Sequence, residues 1–276
     1  MKIIRFLDND GSEKYGCRHE DGSATLIDGD IYGDFSDTGT AATVSKLLAP
    51  VHPTDILCIG LNYAEHAKEG GKSVPERPLL FMKTSSTVNH PGDAIVIPRR
   101  LRSDKVDYEC ELVVVIGKRC LNATKENALD YVLGYTCGND VSARDWQLEW
   151  GDGQWCRGKT FATFAPLGPC VVTPDEIPDP NNLNIKTILN GDVMQSHNTS
   201  DMIFDVRTLI ESLSGSTVLE PGTVIFTGTP QGVGAARTPP VFLKDGDSVT
   251  IEIENIGESA GFRRIKVLFH IAKSDL

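Results

Sequence analysis

The sequence predicts a β-rich α+β fold. Three observations carry this. The 276 residues contain many short apolar segments of strand character and few of helical character. Gly (26) and Pro (15) are spread throughout and punctuate these segments. The segments also lack the regular strand–helix alternation of an α/β chain. The length suits one large domain with a small appendage, and a core of that size needs no disulfide staples.

Residues 1–50 carry the short patches KIIRFL and ATLI among many Asp and Gly residues. They predict a small N-terminal β domain (1–52), leaving 53–276 as the main domain. TVSKLLA, ahead of Pro50, reads as a short helix. DILCIGL (55–61) predicts a buried strand. NYAEHAKEGG (62–71) predicts a short helix closed by Gly70 and Gly71. LLFMKT (79–84) and AIVIP (94–98) predict strands, and DYECELVVVIGK (107–118) is the longest strand signal. Thr124 is placed to cap a helix through Leu133, with Gly134 as its stop. YTCGNDVS follows as a strand end and loop. In LNIKTILNGDVMQSH, Asn190-Gly191 marks a hairpin turn. IFDVRTLIESLSG predicts an amphipathic helix ending at Gly215. TVIFTGTP, DSVTIEIEN and RRIKVLFHI complete the strands.

Lys and Arg total 27 against 38 Asp and Glu, a net charge of −11. That balance argues against nucleic acid and anionic membrane surfaces as partners. It leaves room for a small anionic substrate, because a local site can oppose the global field. The seven cysteines, Cys17, Cys58, Cys110, Cys120, Cys137, Cys156 and Cys170, form no C-x-x-C. An odd, scattered set suits free thiols in a reducing compartment. The apolar runs are too short to span a bilayer, and the first residues lack a signal-peptide core. A cytoplasmic protein is expected.

Glu109 and Glu111 stand at i and i+2, on one face of the longest strand. Val113 and Val115 continue that face. Tyr108, Cys110, Leu112, Val114 and Ile116 line the other. With both faces apolar, the strand is expected to be buried on both sides. Two buried like charges need a cation beside them. Glu252 and Glu254 have the same spacing but share a polar face with Thr250, which marks an ordinary half-exposed strand.

Asp140, in GNDVSARDW, would complete an all-oxygen set suited to Mg²⁺, Mn²⁺ or Ca²⁺, or it caps the next turn. His66 and Glu69 share a helical face at i and i+3. They form either an acid/base dyad or a solvated pair. Lys159, in RGKTFATFAPLG, sits in a cleft as an oxyanion partner or lies at the surface. TGTPQGVG (227–234) offers backbone amides to an anion, or is a plain turn. Trp146, Trp150 and Trp155 wall a pocket or pack at the surface.

Seven ordered segments resemble the fumarylacetoacetate hydrolase superfamily, in its compact domain-containing form. They are CIGLNYAEHAKE, PLLFMKTSST, DYECELVVVIGK, GYTCGNDVSARDWQ, RGKTFATFAPLGP, NGDVMQSHNTSDMIF and PGTVIFTGTPQGVG. The resemblance implies a mixed β-sandwich roll with a small N-terminal β domain, assembled as a homodimer. It implies Glu109, Glu111 and Asp140 as ligands of Mg²⁺ or Mn²⁺, with Ca²⁺ also admitted and no organic cofactor. It makes His66 and Glu69 the dyad on a lid helix and Lys159 the group beside a substrate carbonyl. Arg144, Gln147 and Thr229 would contact substrate. Leu61 and Ala162 depart from the pattern, where many relatives carry Arg and Asp, and the ending GESAGFRRIKVLF departs as well.

The implied activity is metal-dependent hydrolysis of a C–C bond in a small anionic 2,4-dioxo or related 2-oxo acid. His66, helped by Glu69, would deprotonate water, and Lys159 would stabilise the oxyanion. Oxaloacetate decarboxylation, or isomerisation or hydration of a 2-oxo acid, is the alternative on the same residues. A metal- or ligand-binding protein without turnover is the third reading.

Overall fold

The computed structural model describes residues 1–98 and 100–257. The first strands are β1 (Lys2–Leu7), β2 (Glu13–Arg18), β3 (Ala24–Gly29), β4 (Phe35–Ala41), β5 (Lys46–Leu48) and β6 (Ile56–Gly60). Helix α1 (Ala64–Glu69) precedes β7 (Leu79–Lys83), β8 (Val88–Asn89), β9 (Val106–Asp107), β10 (Cys110–Ile116), β11 (Val132–Asn139) and β12 (Ser142–Ala143). Then come α2 (Cys156–Lys159), β13 (Ala165–Val172), β14 (Asn184–Leu189), β15 (Asp192–Asn198), α3 (Val206–Ser214), β16 (Val224–Phe226) and β17 (Val249–Ile253). The β-rich α+β class is what the structure shows.

One mixed sheet runs β4-β3-β2-β1-β13-β11-β10-β16-β6-β7, with β5 on β1 and β8 on β13. β15-β14-β17 form a second sheet, and β12 pairs with β9. Because β1 pairs with β13 as well as β2, the N-terminal strands extend the main sheet.

β10 lies at the centre and is buried along its whole length. Leu112, Val114 and Ile116 enter one hydrophobic core, while Val113 and Val115 enter a second. β17 behaves as its contrast. Val249, Ile251 and Ile253 are buried, Thr250 and Glu252 are half-exposed, and Glu252 pairs with Lys186 at 2.9 Å. The hairpin turn forms where expected, with Asn190 and Gly191 both at positive φ (55° and 98°). α3 is capped by Asp205, which accepts from the Thr208 amide at 2.7 Å, and ends at Gly215.

Three local expectations are corrected. Lys46–Leu48 of TVSKLLA form strand β5, because pairing with β1 buries Leu48 and overrides a weak helical preference. AIVIP joins no ladder; Ile95 is buried, and the Val96 amide donates to Thr163 Oγ1 at 2.8 Å. The helix expected from Thr124 to Leu133 shrinks to a single 3₁₀ turn, Ala128–Tyr131. Gly134 belongs to β11, where a Cβ would lie 2.3 Å from the Val172 carbonyl oxygen of β13. The glycine that looked like a helix stop is a close-approach position between strands. The strand RRIKVLFHI lies outside the described residues.

Strand polarity gathers the functional segments at one end of the main sheet. β6 and β16 run parallel, so the segments after them emerge together. β10 is antiparallel to β16 and therefore begins at that end; β11 is antiparallel to β10 and ends there. This brings α1, the loop after Phe226, the start of β10 and Asp140 to one place.

Candidate active site

A cavity of about 260 Å³ opens at this end of the sheet. His66, Glu69, Glu109, Glu111, Asp140, Arg144, Gln147, Lys159 and Thr229 all line it. At its floor, Glu109, Glu111 and Asp140 are 5%, 2% and 0% exposed, and one oxygen from each lies within 4.8 Å of the others. The β10–β11 register makes this meeting. Cys110 faces Asn139 and Glu111 faces Gly138, so Asp140 lies beside Glu109, its amide donating to the Glu109 carbonyl at 3.0 Å.

Two of these carboxylates are braced by cations. Glu109 accepts from Arg144 Nη2 and Lys159 Nζ, each at 2.7 Å. Asp140 accepts from Lys159 Nζ at 2.7 Å and pairs with Lys83 Nζ at 2.6 Å. Burial pushes the Glu109 carboxyl up, but Lys159 and Arg144 more than offset this and hold it well below the usual carboxylate range. Glu111 differs. It accepts one hydrogen bond, from the Gly228 amide at 2.7 Å, and has no cationic partner among the described residues. Burial, then the charges of Asp140 and Glu109, push its carboxyl well above the ordinary value. Burial disfavours the charged form of Lys159, but Asp140 and Glu109 outweigh it and raise its pKa, so it remains an ammonium ion.

The dyad stands at the cavity mouth. His66 Nδ1 lies 3.3 Å from Glu69 Oε2, and Glu69 accepts from the Gly232 amide at 3.0 and 3.1 Å. The loop carrying Gly232 does hold carboxylates, but the protein's own. Gly228 holds Glu111, Gly232 holds Glu69, and Gly234 and Ala235 hold Asp107 at 2.8 and 2.9 Å. Thr229 braces the same loop: its hydroxyl donates to the Cys110 carbonyl and accepts from Gln195 Nε2. The hydroxyl proton expected to meet a substrate carboxylate is engaged there in this arrangement.

Arg144 is equally committed. Nε donates to Asp107 Oδ2 at 2.9 Å, Nη1 to Gln147 Oε1 at 2.9 Å, and Nη2 to Glu109. The Gln147 amide nitrogen has no partner among the described residues and is the freer polar group of the pair. Of the three tryptophans, Trp155 lines the cavity, edge-on to Phe81 at 5.8 Å. Gly60 makes room for it; a Cβ there would lie 2.2 Å from Trp155 Cζ3. Trp146 and Trp150 pack on each other outside the wall.

Residues 55–261 match the family model described as Fumarylacetoacetate (FAA) hydrolase C-terminal. The chain belongs to this family. Residues 1–50 match a second model, Rv2993c-like, N-terminal. A Dictyostelium discoideum protein named fumarylacetoacetate hydrolase domain-containing protein 2 homolog is 51% identical over 77% of this chain and 72% of its own. The Xenopus laevis protein named oxaloacetate tautomerase fahd2, mitochondrial, is 42% identical over 93% of this chain and 88% of its own. A solved structure from Mycobacterium smegmatis, titled 5-carboxymethyl-2-hydroxymuconate delta-isomerase, superposes with TM-score 0.81 at 35% identity, covering 98% and 99% of the two chains.

This family member's floor fits a divalent cation. The donors are all carboxylate oxygens, close enough to converge on one ion, and hard cations prefer such a set. Glu111 is the buried acid of the three with no ion pair among the described residues; the nearby Lys159 charge offsets its burial only in part. Lys83 and Asp107 are the site residues that sequence reasoning missed. Lys83 reaches in from β7 and donates to the carbonyls of Val141, Lys159 and Phe164 at 3.1, 2.7 and 2.9 Å. It shares a strand face with Phe81, so a lysine on an inward face was the available signal. Asp107 extends the Glu109/Glu111 face by one more step of two. It is fully buried and ties Arg144 to the loop.

Proposed function

We propose that this protein is a divalent-cation-dependent enzyme that moves protons on a small 2-oxo acid, with keto–enol interconversion of oxaloacetate as its first activity. One observation carries the reading: the carboxylate floor and the His66–Glu69 pair face the same small cavity. Glu109, Glu111 and Asp140 would hold the cation, which when bound supplies a Lewis-acid anchor for enolate charge. Glu69 takes up His66 Nδ1 and leaves Nε2 to carry the transferable proton. Lys159 spends two of its three N–H groups on Glu109 and Asp140 and keeps a third for an oxygen on which charge develops. The name of the Xenopus relative, which matches nearly the whole chain, supports oxaloacetate as substrate.

Hydrolysis of a C–C bond in a 2,4-dioxo acid is the second reading. The His66 side chain is 18% exposed, so water reaches the base at the cavity mouth. Decarboxylation of oxaloacetate needs the cation site without the dyad. One assay separates the three. Protein with Mn²⁺ or Mg²⁺ is given enol-oxaloacetate and, in parallel, an acylpyruvate; enol loss and CO₂ release from the first and C–C cleavage of the second are followed beside metal-only controls. Enol loss accelerated about 100-fold or more over those controls, and abolished by chelator, is the expected result. Cleavage or CO₂ release instead would select another reading. No turnover of any 2-oxo acid would sink the proposal.

Seven free thiols suit a reducing compartment, with the cytoplasm as the proposed location. Among the described residues no helix is long and apolar enough to cross a membrane. The proposed homodimer has an apolar surface available to it: β7 is an edge strand and exposes Leu79, Leu80 and Met82.

A further inference from the structure

Among the described residues lining the cavity, Lys72, Arg144 and Lys159 carry permanent positive charge. Two of the three are consumed within the protein. Arg144 bridges Asp107 and Glu109, and Lys159 bridges Glu109 and Asp140. Lys72 is the exception. Its ammonium has no carboxylate partner among the described residues, and it stands 5.9 Å from the centroid of the Trp155 ring. Glu109, Glu111 and Asp140 occupy the buried floor and Glu69 stands at the mouth, where the Gly232 amide and His66 hold it; Lys72 is exposed and lines the cavity at that open side.

Its placement is built into the helix end. The amide of Lys72 donates to the Ala67 carbonyl at 2.9 Å and that of Gly71 to the Lys68 carbonyl at 3.0 Å. Gly71 takes the left-handed conformation, φ +62°. Together these form a Schellman closure of α1, which fixes the Lys72 backbone to the helix bearing His66 and Glu69. Lys72 therefore keeps its register with the dyad if that helix shifts. Between floor and mouth the wall includes the apolar side chains of Ile59, Leu61 and Phe81, and its uncharged donors, the Trp155 indole N–H and the Gln147 amide, carry no countercharge for a second carboxylate.

We infer that Lys72 is a specificity-determining residue that receives the distal carboxylate of a 2-oxo dicarboxylate whose 2-oxo acid end is held at the floor. This rests on the 2-oxo acid reading above and deepens it. Monocarboxylates with apolar tails fill the same cavity without the charge contact. Because Lys72 is exposed, the expected preference is about fivefold, not orders of magnitude.

The test is equilibrium binding to the full chain with Mn²⁺, using two stable five-carbon probes, 2-oxoglutarate and 2-oxopentanoate. Wild type should bind the dicarboxylate about fivefold more tightly. Lys72→Met should reduce that ratio to about one by weakening only 2-oxoglutarate, and Lys72→Arg should preserve it. Added salt should erode the wild-type preference and leave Lys72→Met unchanged. If both probes bind but the ratio survives in Lys72→Met, or is one in wild type, the Lys72 assignment is overturned. If neither probe binds, the 2-oxo acid reading falls with it.

Discussion

Replacing His66 with Gln is expected to lower kcat by about 10²- to 10⁴-fold, the usual worth of a positioned general acid/base. The fold should survive, because His66 lies at the cavity mouth on a short helix and its one side-chain hydrogen bond among the described residues is to Glu69. Mn²⁺ affinity should stay within a factor of about two, since the carboxylate floor is untouched. KM should move little, because the imidazole serves the proton transfer more than ground-state binding. Steady-state kinetics with a thermal melt and a Mn²⁺ titration separates these effects. Activity within about threefold of wild type would show that His66 is not the proton carrier.

Glu111→Gln is expected to weaken Mn²⁺ binding by about 100-fold or more and to abolish metal-dependent turnover. Glu111 is the informative floor residue because no cation among the described residues forms an ion pair with it. The amide keeps the size of the side chain and can still accept the Gly228 hydrogen bond. Removing its charge also relieves a buried carboxylate crowded by Asp140 and Glu109. The metal-free variant should therefore melt at or above the metal-free wild type. Excess Mn²⁺ should stabilise wild type, by about 2.7 kcal/mol at 100 times Kd, and leave the variant unmoved. Glu109→Gln should behave differently. It leaves Arg144 and Lys159 short of a buried countercharge and should cost about 3–5 kcal/mol of stability. Equal melting behaviour for the two variants would contradict this division of labour.

What could be read from the sequence divides along a physical line. Glu109 and Glu111 stood out because their strand is apolar on both faces, and β10 proves to be buried between two cores. Glu252 and Glu254 have identical spacing, and the alternating pattern around them correctly placed β17 half in solvent. Periodicity is a local property, and these segments declare their burial locally. The errors fell where a distant strand decides the outcome. TVSKLLA became β5 because β1 pairs with it, and Gly134 entered β11 because only glycine clears the Val172 carbonyl. The same limit explains Lys83. An isolated lysine near a strand end gives no hint of the three carbonyls and the carboxylate that hold it. TGTPQGVG reads either as a source of backbone amides for an anion or as a plain turn, and its amides do hold carboxylates. That those carboxylates are Glu111, Glu69 and Asp107 depends on parallel pairing between β6 and β16, invisible in either segment alone.

The central claim is that one cavity joins a cation held by three carboxylates to a 2-oxo acid within reach of the dyad. It is tested most directly by anomalous diffraction from crystals grown with Mn²⁺ and the two-carbon analogue oxalate. The expected result is one manganese peak about 2.0–2.3 Å from oxygens of Glu109, Glu111 and Asp140, with oxalate completing its shell inside the cavity. A manganese peak away from these carboxylates, or oxalate bound elsewhere on the surface, would contradict it.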